Sequence, residues 1–123
     1  MRLREVLAIT HAQIFCSPDL DLEREIQCAF ASDLMSDVLR YDLSQGLLIT
    51  GLANPQVVRT AEMADAAAIL LARGKLPQPE TIELAEEADI PLLGTEMIMF
   101  EACGRLFAAG LPAGHLHNGG ARE

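Results

Sequence analysis

The chain has 123 residues, of which 18 are acidic and nine basic, and its formal net charge at pH 7 is −9. A nucleic-acid-binding surface needs a basic stripe and stacking aromatic rings, yet this chain has no Trp and one Tyr, so we expect no nucleic-acid partner. No apolar run approaches the roughly 18 residues of a membrane span, so we also expect no membrane partner. The length fits one domain.

The first half of the chain has a weakly regular pattern. Leu3, Val6 and Leu7 share one face of a short predicted helix over residues 2–10. Strands are predicted over residues 13–16 and 25–30, on either side of an acidic turn. A second short helix should begin at Ser32 and Asp33, which are expected to cap it.

The second half repeats one unit three times. Short apolar runs at 47–50, 67–71 and 90–93 are each followed by a turn and a helical pattern. Asn54-Pro55, Pro79 and Thr95 mark the predicted helix starts. Strand–helix units joined by short turns give right-handed crossovers. The sequence therefore predicts an α/β fold, with a small, mostly parallel β-sheet built from βα repeats and helices packed on it.

The last helical pattern ends at Gly110 and Pro112, so we predict one domain over residues 1–112 and a flexible C-terminal tail over 113–123. His115 and His117 form an H-x-H pair in that tail, but no second cluster of ligands accompanies them. Cys16, Cys28 and Cys103 lack C-x-x-C spacing. We therefore expect reduced thiols, a cytoplasmic location and no metal or cofactor.

The carboxyl ends of parallel strands are where α/β sheets usually bind ligands. Loops 51–54, 73–78 and 94–96 should meet there, each before a helix whose amino end favours an anion. Arg73 offers a planar fork for phosphate or carboxylate, and Lys75 adds a compact charge. The candidate ligand-binding residues are Gly51, Asn54, Arg73, Gly74, Lys75 and Thr95. The alternative is structural: the glycines form turns, Asn54 and Thr95 cap helices, and Arg73 pairs with surface carboxylates.

No catalytic constellation stands out in the sequence. Gly74-Lys75 lacks the surrounding pattern of a P-loop, because Leu76 follows the lysine and Ile69 stands where the first glycine belongs. The serines have no G-x-S-x-G elbow. These absences favour a protein that is not an enzyme.

Three segments, at residues 32–39, 47–63 and 72–111, resemble the small stand-alone DRTGG-domain family, and the resemblance spans about residues 3–111. It implies an α/β fold similar to the N-terminal domain of HPr kinase/phosphorylase and to Mur-ligase domains. Related domains are regulatory inserts in long phosphotransacetylases and between CBS modules of some bacterial pyrophosphatases. Stand-alone members often accompany hydrogenase and redox-signalling genes.

The chain departs from the five residues that name the family. Ala53 and Asn54 stand at the Asp-Arg pair, and residues 72–74 stand at Thr-Gly-Gly, where only Gly74 is retained. The cation lies in the second loop instead of the first. Roles of the name-giving residues therefore do not transfer to this chain.

Three functional hypotheses follow. The first is a non-enzymatic regulatory or interaction domain that senses a small anionic metabolite or nucleotide at the strand ends. The second is a small enzyme or phosphotransfer accessory acting on a phosphorylated substrate, and the third is an adaptor for a redox or hydrogenase-linked protein partner. A homodimer is also expected, because Phe100, Cys103 and Phe107 give the last helix an apolar face that a partner subunit can cover.

Overall fold

The structure is a computed structural model and describes residues 1–16 and 21–117. The helices are α1 (Leu3–Thr10), α2 (Met35–Val38), α3 (Pro55–Met63), α4 (Pro79–Ala88) and α5 (Met99–Ala108). The strands are β1 (Gln13–Cys16), β2 (Ala29–Ala31), β3 (Tyr41–Asp42), β4 (Leu47–Thr50), β5 (Ala68–Leu71), β6 (Leu92–Gly94) and β7 (His115–Leu116). None of the helices in these ranges is long and apolar enough to cross a membrane.

The main sheet has five strands in the order β1-β6-β5-β4-β2. Strands β2, β4, β5 and β6 run parallel, and β1 joins the edge antiparallel to β6. The predicted mostly parallel sheet is therefore confirmed. Its three βα repeats, β4-α3, β5-α4 and β6-α5, follow the rhythm of the second half of the sequence.

The central strands are apolar except for Thr50, because helices cover both faces of the sheet. Every residue of β4 and of β5 is buried, as is typical of parallel strands. Leu48 and Ile69 pack with α3 and α4 on one face, while Leu47 and Leu70 pack with α1 and α5 on the other. This burial explains why residues 68–71 form a strand although their Ala and Leu residues favour helix.

The end of the described chain is paired instead of free. Strand β7 pairs antiparallel with β3, and Ala113 bridges to Ala29 of β2. The His117 N–H donates to the Arg40 carbonyl at 3.0 Å. Residues 113–117, the first part of the predicted flexible tail, are thus held by the fold, and the rest of that tail lies outside the described residues.

Two local predictions in the first half need correction. The predicted strand over 25–30 is shorter, because β2 begins only at Ala29. The helix expected at Ser32 and Asp33 begins at Met35, with Leu34 in the N-cap position. Ser32 Oγ still accepts a hydrogen bond from the Leu34 N–H at 3.0 Å, but Asp33 turns away to another strand.

Candidate functional site

The three predicted loops begin side by side at one edge of the sheet. Thr50, the last residue of β4, is in register with Leu71 of β5, and Leu71 is in register with Gly94 of β6. The chain leaves the sheet in the same direction at all three positions. We call the edge formed by residues 51–54, 72–78 and 95–98 the carboxyl rim.

Backbone hydrogen bonds tie these loops to one another. The Arg73 N–H donates to the Met97 carbonyl at 2.8 Å, and the Gly74 N–H donates to the Thr95 carbonyl at 2.9 Å. On the other side, the Ala53 carbonyl accepts from the Gln78 N–H at 3.2 Å and from the Thr81 hydroxyl at 2.8 Å. The middle loop is therefore fixed to both of its neighbours.

Arg73 occupies an unusual backbone conformation in a tight turn. Arg73 and Gly74 both have left-handed φ values, of 63° and 68°, and the Lys75 N–H closes the turn on the Ala72 carbonyl at 3.3 Å. Glycine adopts this conformation freely, but it costs an L-residue with a side chain about 1–2 kcal/mol. Four other non-glycine residues in the described ranges have positive φ, and three of them, His11, Asp65 and Asp89, follow the ends of helices, where this conformation is common. Arg73 has no such reason.

The Arg73 side chain crosses to the neighbouring loop. Its guanidinium lies so close over Gly51 that an added Cβ there would overlap the Nη2 nitrogen. Gly51 thus leaves space for the guanidinium at the end of β4. Strained residues that the surrounding structure holds in place occur preferentially at functional sites.

Ion pairs distinguish the two rim cations from most of the other Arg and Lys side chains in the described ranges. Arg2, Arg4, Arg24, Arg40 and Arg105 each pair with a carboxylate. Over residues 1–16 and 21–117, no carboxylate lies within ion-pair distance of Arg59, Arg73 or Lys75. The alternative in which Arg73 simply neutralises a surface carboxylate therefore has no support within these ranges.

Two carboxylates also reach the rim. Asp33, which follows β2, accepts from the Thr50 hydroxyl at 3.0 Å and from the Gly51 N–H at 2.6 Å. The Glu96 carboxylate lies against Gly74, whose added Cβ would be 2.7 Å from Oε1. The two carboxylates and the two rim cations sum to zero formal charge. The rim is therefore less negative than the chain as a whole, which carries −9.

Asp33 and Glu96 are not among the site residues that the sequence predicts, although Glu96 lies in the predicted loop 94–96. The sequence predicts a helix cap for Asp33, because an Asp before a helical pattern usually caps the helix. Its contact with Gly51 depends on β2 lying beside β4, which no local pattern encodes. Glu96 had a detectable signal, since it follows a parallel strand within one of the three predicted loops.

The predicted site residues differ in what they can offer a ligand. Asn54 caps α3, because its Oδ1 accepts from the Gln56 N–H at 3.1 Å, and this leaves its amide N–H groups as donors. Thr95 is buried, donates its hydroxyl hydrogen to the Thr10 carbonyl at 2.6 Å and accepts from the Met97 N–H. The predicted site therefore loses Thr95. The predicted Thr95 helix cap is also wrong, because α5 begins at Met99 after Ile98.

Catalytic groups are not concentrated in the described part of the chain. No group of three or more His, Cys, Asp and Glu side chains within it is placed to hold a metal ion. Burial raises the pKa of the Cys16, Cys28 and Cys103 thiols above the ordinary value, and nearby carboxylates raise the first two further. Protonated thiols are poor nucleophiles at neutral pH, so these cysteines lack the character of catalytic ones.

Comparison with known proteins places this geometry in a family. A family model described as the DRTGG domain matches residues 5–108. A search of curated proteins gave no match. The fold is similar to the CBS and DRTGG domains of the regulatory region of Clostridium perfringens pyrophosphatase, solved in complex with its activator, diadenosine tetraphosphate. The TM-score is 0.69 at 18% identity, over 90% of this chain and 47% of that one, so this chain spans about half of that structure. Because the DRTGG family model covers most of this chain, the chain belongs to the DRTGG domain family.

Proposed function

We propose that this chain is a non-enzymatic, cytoplasmic regulatory domain that binds a small anionic metabolite or nucleotide at the carboxyl rim. Arg73 and Lys75 supply positive charge to the anion. The Asn54 amide and the loop around Gly51 line the same edge. The three free cysteines agree with a reducing compartment.

The observation that carries the proposal is the state of Arg73. Its backbone is held in a left-handed turn, its guanidinium lies over Gly51 and no carboxylate within the described ranges pairs with it. A purely structural loop gains nothing from a large side chain at such a position, where glycine is less strained. A planar guanidinium held in advance binds a phosphate or carboxylate with little further loss of side-chain freedom.

The solved relative supports nucleotides as the first ligands to test. The pyrophosphatase regulatory region binds diadenosine tetraphosphate as an activator. That ligand carries a chain of phosphates, which is the chemistry that Arg and Lys side chains recognise. In that protein the DRTGG domain lies beside CBS domains in a regulatory region, which supports a regulatory role for this chain.

Ligand binding at this edge would act on the loops of three strands at once. The turn at Arg73 and Gly74 is hydrogen-bonded to residues 95–97, while Gln78 is hydrogen-bonded to Ala53. An anion held by Arg73 over Gly51 therefore joins loops that belong to β4, β5 and β6. Since such a ligand binds only the folded chain, it raises the free energy of unfolding by an amount that follows its concentration and affinity.

Isothermal titration calorimetry tests the proposal. The probes are diadenosine tetraphosphate, ATP and acetyl phosphate, with adenosine as the uncharged control. We expect wild-type binding to at least one phosphorylated probe and none to adenosine. The double variant Arg73→Ala plus Lys75→Ala should bind that probe at least about tenfold more weakly, since each charge-assisted contact contributes roughly 1.5–3 kcal/mol.

Arg59→Ala is the matched control, because Arg59 is an exposed arginine of α3 that also lacks an ion pair within the described ranges. It should retain wild-type affinity. Absence of binding to every phosphorylated probe at millimolar concentration, or equal affinity in the wild type and the double variant, would reject the rim as the site. Turnover of a probe would instead support an enzyme.

A further inference from the structure

One face of α5 is apolar, exposed and not used by the rim. Phe100 and Phe107 are 85% and 71% exposed, and Cys103 and Gly104 lie between them on the same face. The spacing i, i+3, i+4, i+7 aligns the four residues in one stripe. Beside the stripe is a cleft of about 330 Å³, whose far wall is formed by β2 and residues 111–113.

We infer that this stripe is the contact surface for a second copy of the same chain, with the two α5 helices antiparallel. A two-fold axis passing between Cys103 and Gly104 places each residue opposite the one equally far on the other side of the axis. Phe100 of one copy then lies opposite Phe107 of the other, and the reverse pair forms as well. An interface of this kind must be self-complementary, and this sequence order satisfies that requirement.

Small residues at the centre permit the close approach that such a crossing needs. An added Cβ at Gly104 would have no atom within 4 Å, so this position is open in the single copy. Helices pack at about 8–10 Å between their axes, and small side chains allow the lower end of that range. The two aromatic pairs then lie about 5 Å on either side of the axis, since each Phe is 3.5 residues away at 1.5 Å per residue.

Charge favours a second copy over a basic partner at this face. Glu101 and Arg105 on the same helix pair with each other at 2.9 Å, so the stripe is flanked by a neutralised pair. The chain as a whole carries −9, which would direct a basic partner to other surfaces. Two acidic copies can meet with least repulsion where each is locally neutral.

The available area indicates a weak dimer. A Phe side chain buries about 150–250 Å², so two largely exposed ones supply on the order of 300 Å² per copy. A standard interface needs roughly 800 Å² per partner. The walls of the cleft must supply the rest, and we therefore expect association in the micromolar range. This inference stands independently of any ligand at the rim.

Sedimentation of the full chain from 1 to 200 µM tests the dimer. We expect a monomer–dimer equilibrium in the wild type, and a dimer dissociation constant raised at least about tenfold by Phe100→Ser plus Phe107→Ser. Met63→Ser is the matched control, because Met63 is 68% exposed on α3, away from the stripe. It should associate like the wild type.

The variant Gly104→Glu separates loss of the dimer from misfolding. An added side chain at residue 104 has space in the single copy, and glutamate favours helix more than glycine does. It places two carboxylates at the two-fold axis, so we expect a folded monomer by circular dichroism. A wild-type chain that stays monomeric at 200 µM, or a Gly104→Glu chain that still dimerises, would overturn the inference.

Cysteine cross-linking tests the geometry itself. With the axis between Cys103 and Gly104, the two Cys103 residues are offset by only one residue, about 1.5 Å along the helix, so they should form a disulfide under mild oxidation. Burial raises the pKa of this thiol, so the reaction should be faster above pH 8. We expect cross-linked dimer in Cys16→Ser plus Cys28→Ser and none in Cys103→Ser. Absence of cross-linked dimer in Cys16→Ser plus Cys28→Ser would contradict the placement of Cys103 at the axis.

Discussion

Arg73 combines a strained backbone with an exposed charge, so one substitution there should change stability and ligand binding in opposite directions. Replacing Arg73 by Gly relieves the left-handed conformation and should raise the free energy of unfolding by about 1 kcal/mol. The same change removes the guanidinium and should weaken binding of the phosphorylated probe.

Urea unfolding and calorimetry measure the two effects of Arg73→Gly. Arg73→Ala serves as the control, since it removes the charge but keeps the strain and should leave stability near the wild type. A less stable Arg73→Gly chain would show that the side chain holds the fold together, and Arg73 would then need no ligand to explain it.

Glu96 is the residue at which the proposed anion site should be improvable. Its carboxylate lies against Gly74, the residue between Arg73 and Lys75 in the chain, and should repel an anion bound there. Glu96→Gln keeps the shape and removes the charge, so we expect affinity for the phosphorylated probe to rise severalfold at low salt. The gain should shrink as ionic strength increases, which calorimetry in 20 and 300 mM salt would measure. Weaker binding would instead identify Glu96 as a ligand contact.

At the scale of elements, Asp33 joins the ends of β2 and β4. Its Oδ1 accepts hydrogen bonds from Thr50 and Gly51, so it fixes the loop over which Arg73 lies. We expect Asp33→Ala to lower the free energy of unfolding by about 1–3 kcal/mol, because the Thr50 hydroxyl and the Gly51 N–H lose an ionised acceptor.

Urea unfolding checks the role of Asp33, with Asp37→Ala as the control. Asp37 lies in α2, and among the described residues its carboxylate makes only a 3.9 Å ion pair, with Arg40, so its removal should cost less than about 1 kcal/mol. Equal stability losses in the two variants would show that the β2–β4 connection contributes little.

The second half of the chain could be predicted because its signals are local. Each apolar run, glycine turn and helix start lies within about 20 residues, and parallel pairing of β4, β5 and β6 follows from their crossovers. The Asn54-Pro55 helix start is one such signal, and the structure confirms it. The meeting of three loops at one edge was predictable for the same reason.

The parts that were missed depend on pairing between distant segments. Strand β1 adds to the sheet antiparallel to β6, and β7 pairs with β3 across more than 70 residues, as their positions show. Thr95 was misassigned because its hydrogen bond goes to Thr10, 85 residues away. The sequence alone does not show whether a polar side chain after a strand is free to contact a ligand or already donates a hydrogen bond to a distant carbonyl.

At the scale of the whole molecule, two surfaces have separate tasks in this account. The carboxyl rim carries Arg73 and Lys75, which make no ion pair within the described ranges. Helix α5 packs beside α1 on one face of the sheet and exposes the apolar stripe. The Met97 carbonyl, which accepts from the Arg73 N–H, lies two residues before the start of α5. The rim and the stripe are therefore connected through one short loop, as a regulatory domain requires if ligand binding is to alter association.

The most direct measurement of the central claim is a nuclear magnetic resonance titration of backbone amides with diadenosine tetraphosphate, with adenosine as the control. The account predicts the largest shifts at residues 51–54, 73–78 and 95–97, and their loss in Arg73→Ala plus Lys75→Ala. Shifts centred at the opposite end of the sheet, around Gln45, Asp65 and Asp89, or shifts that persist unchanged in the double variant, would contradict it.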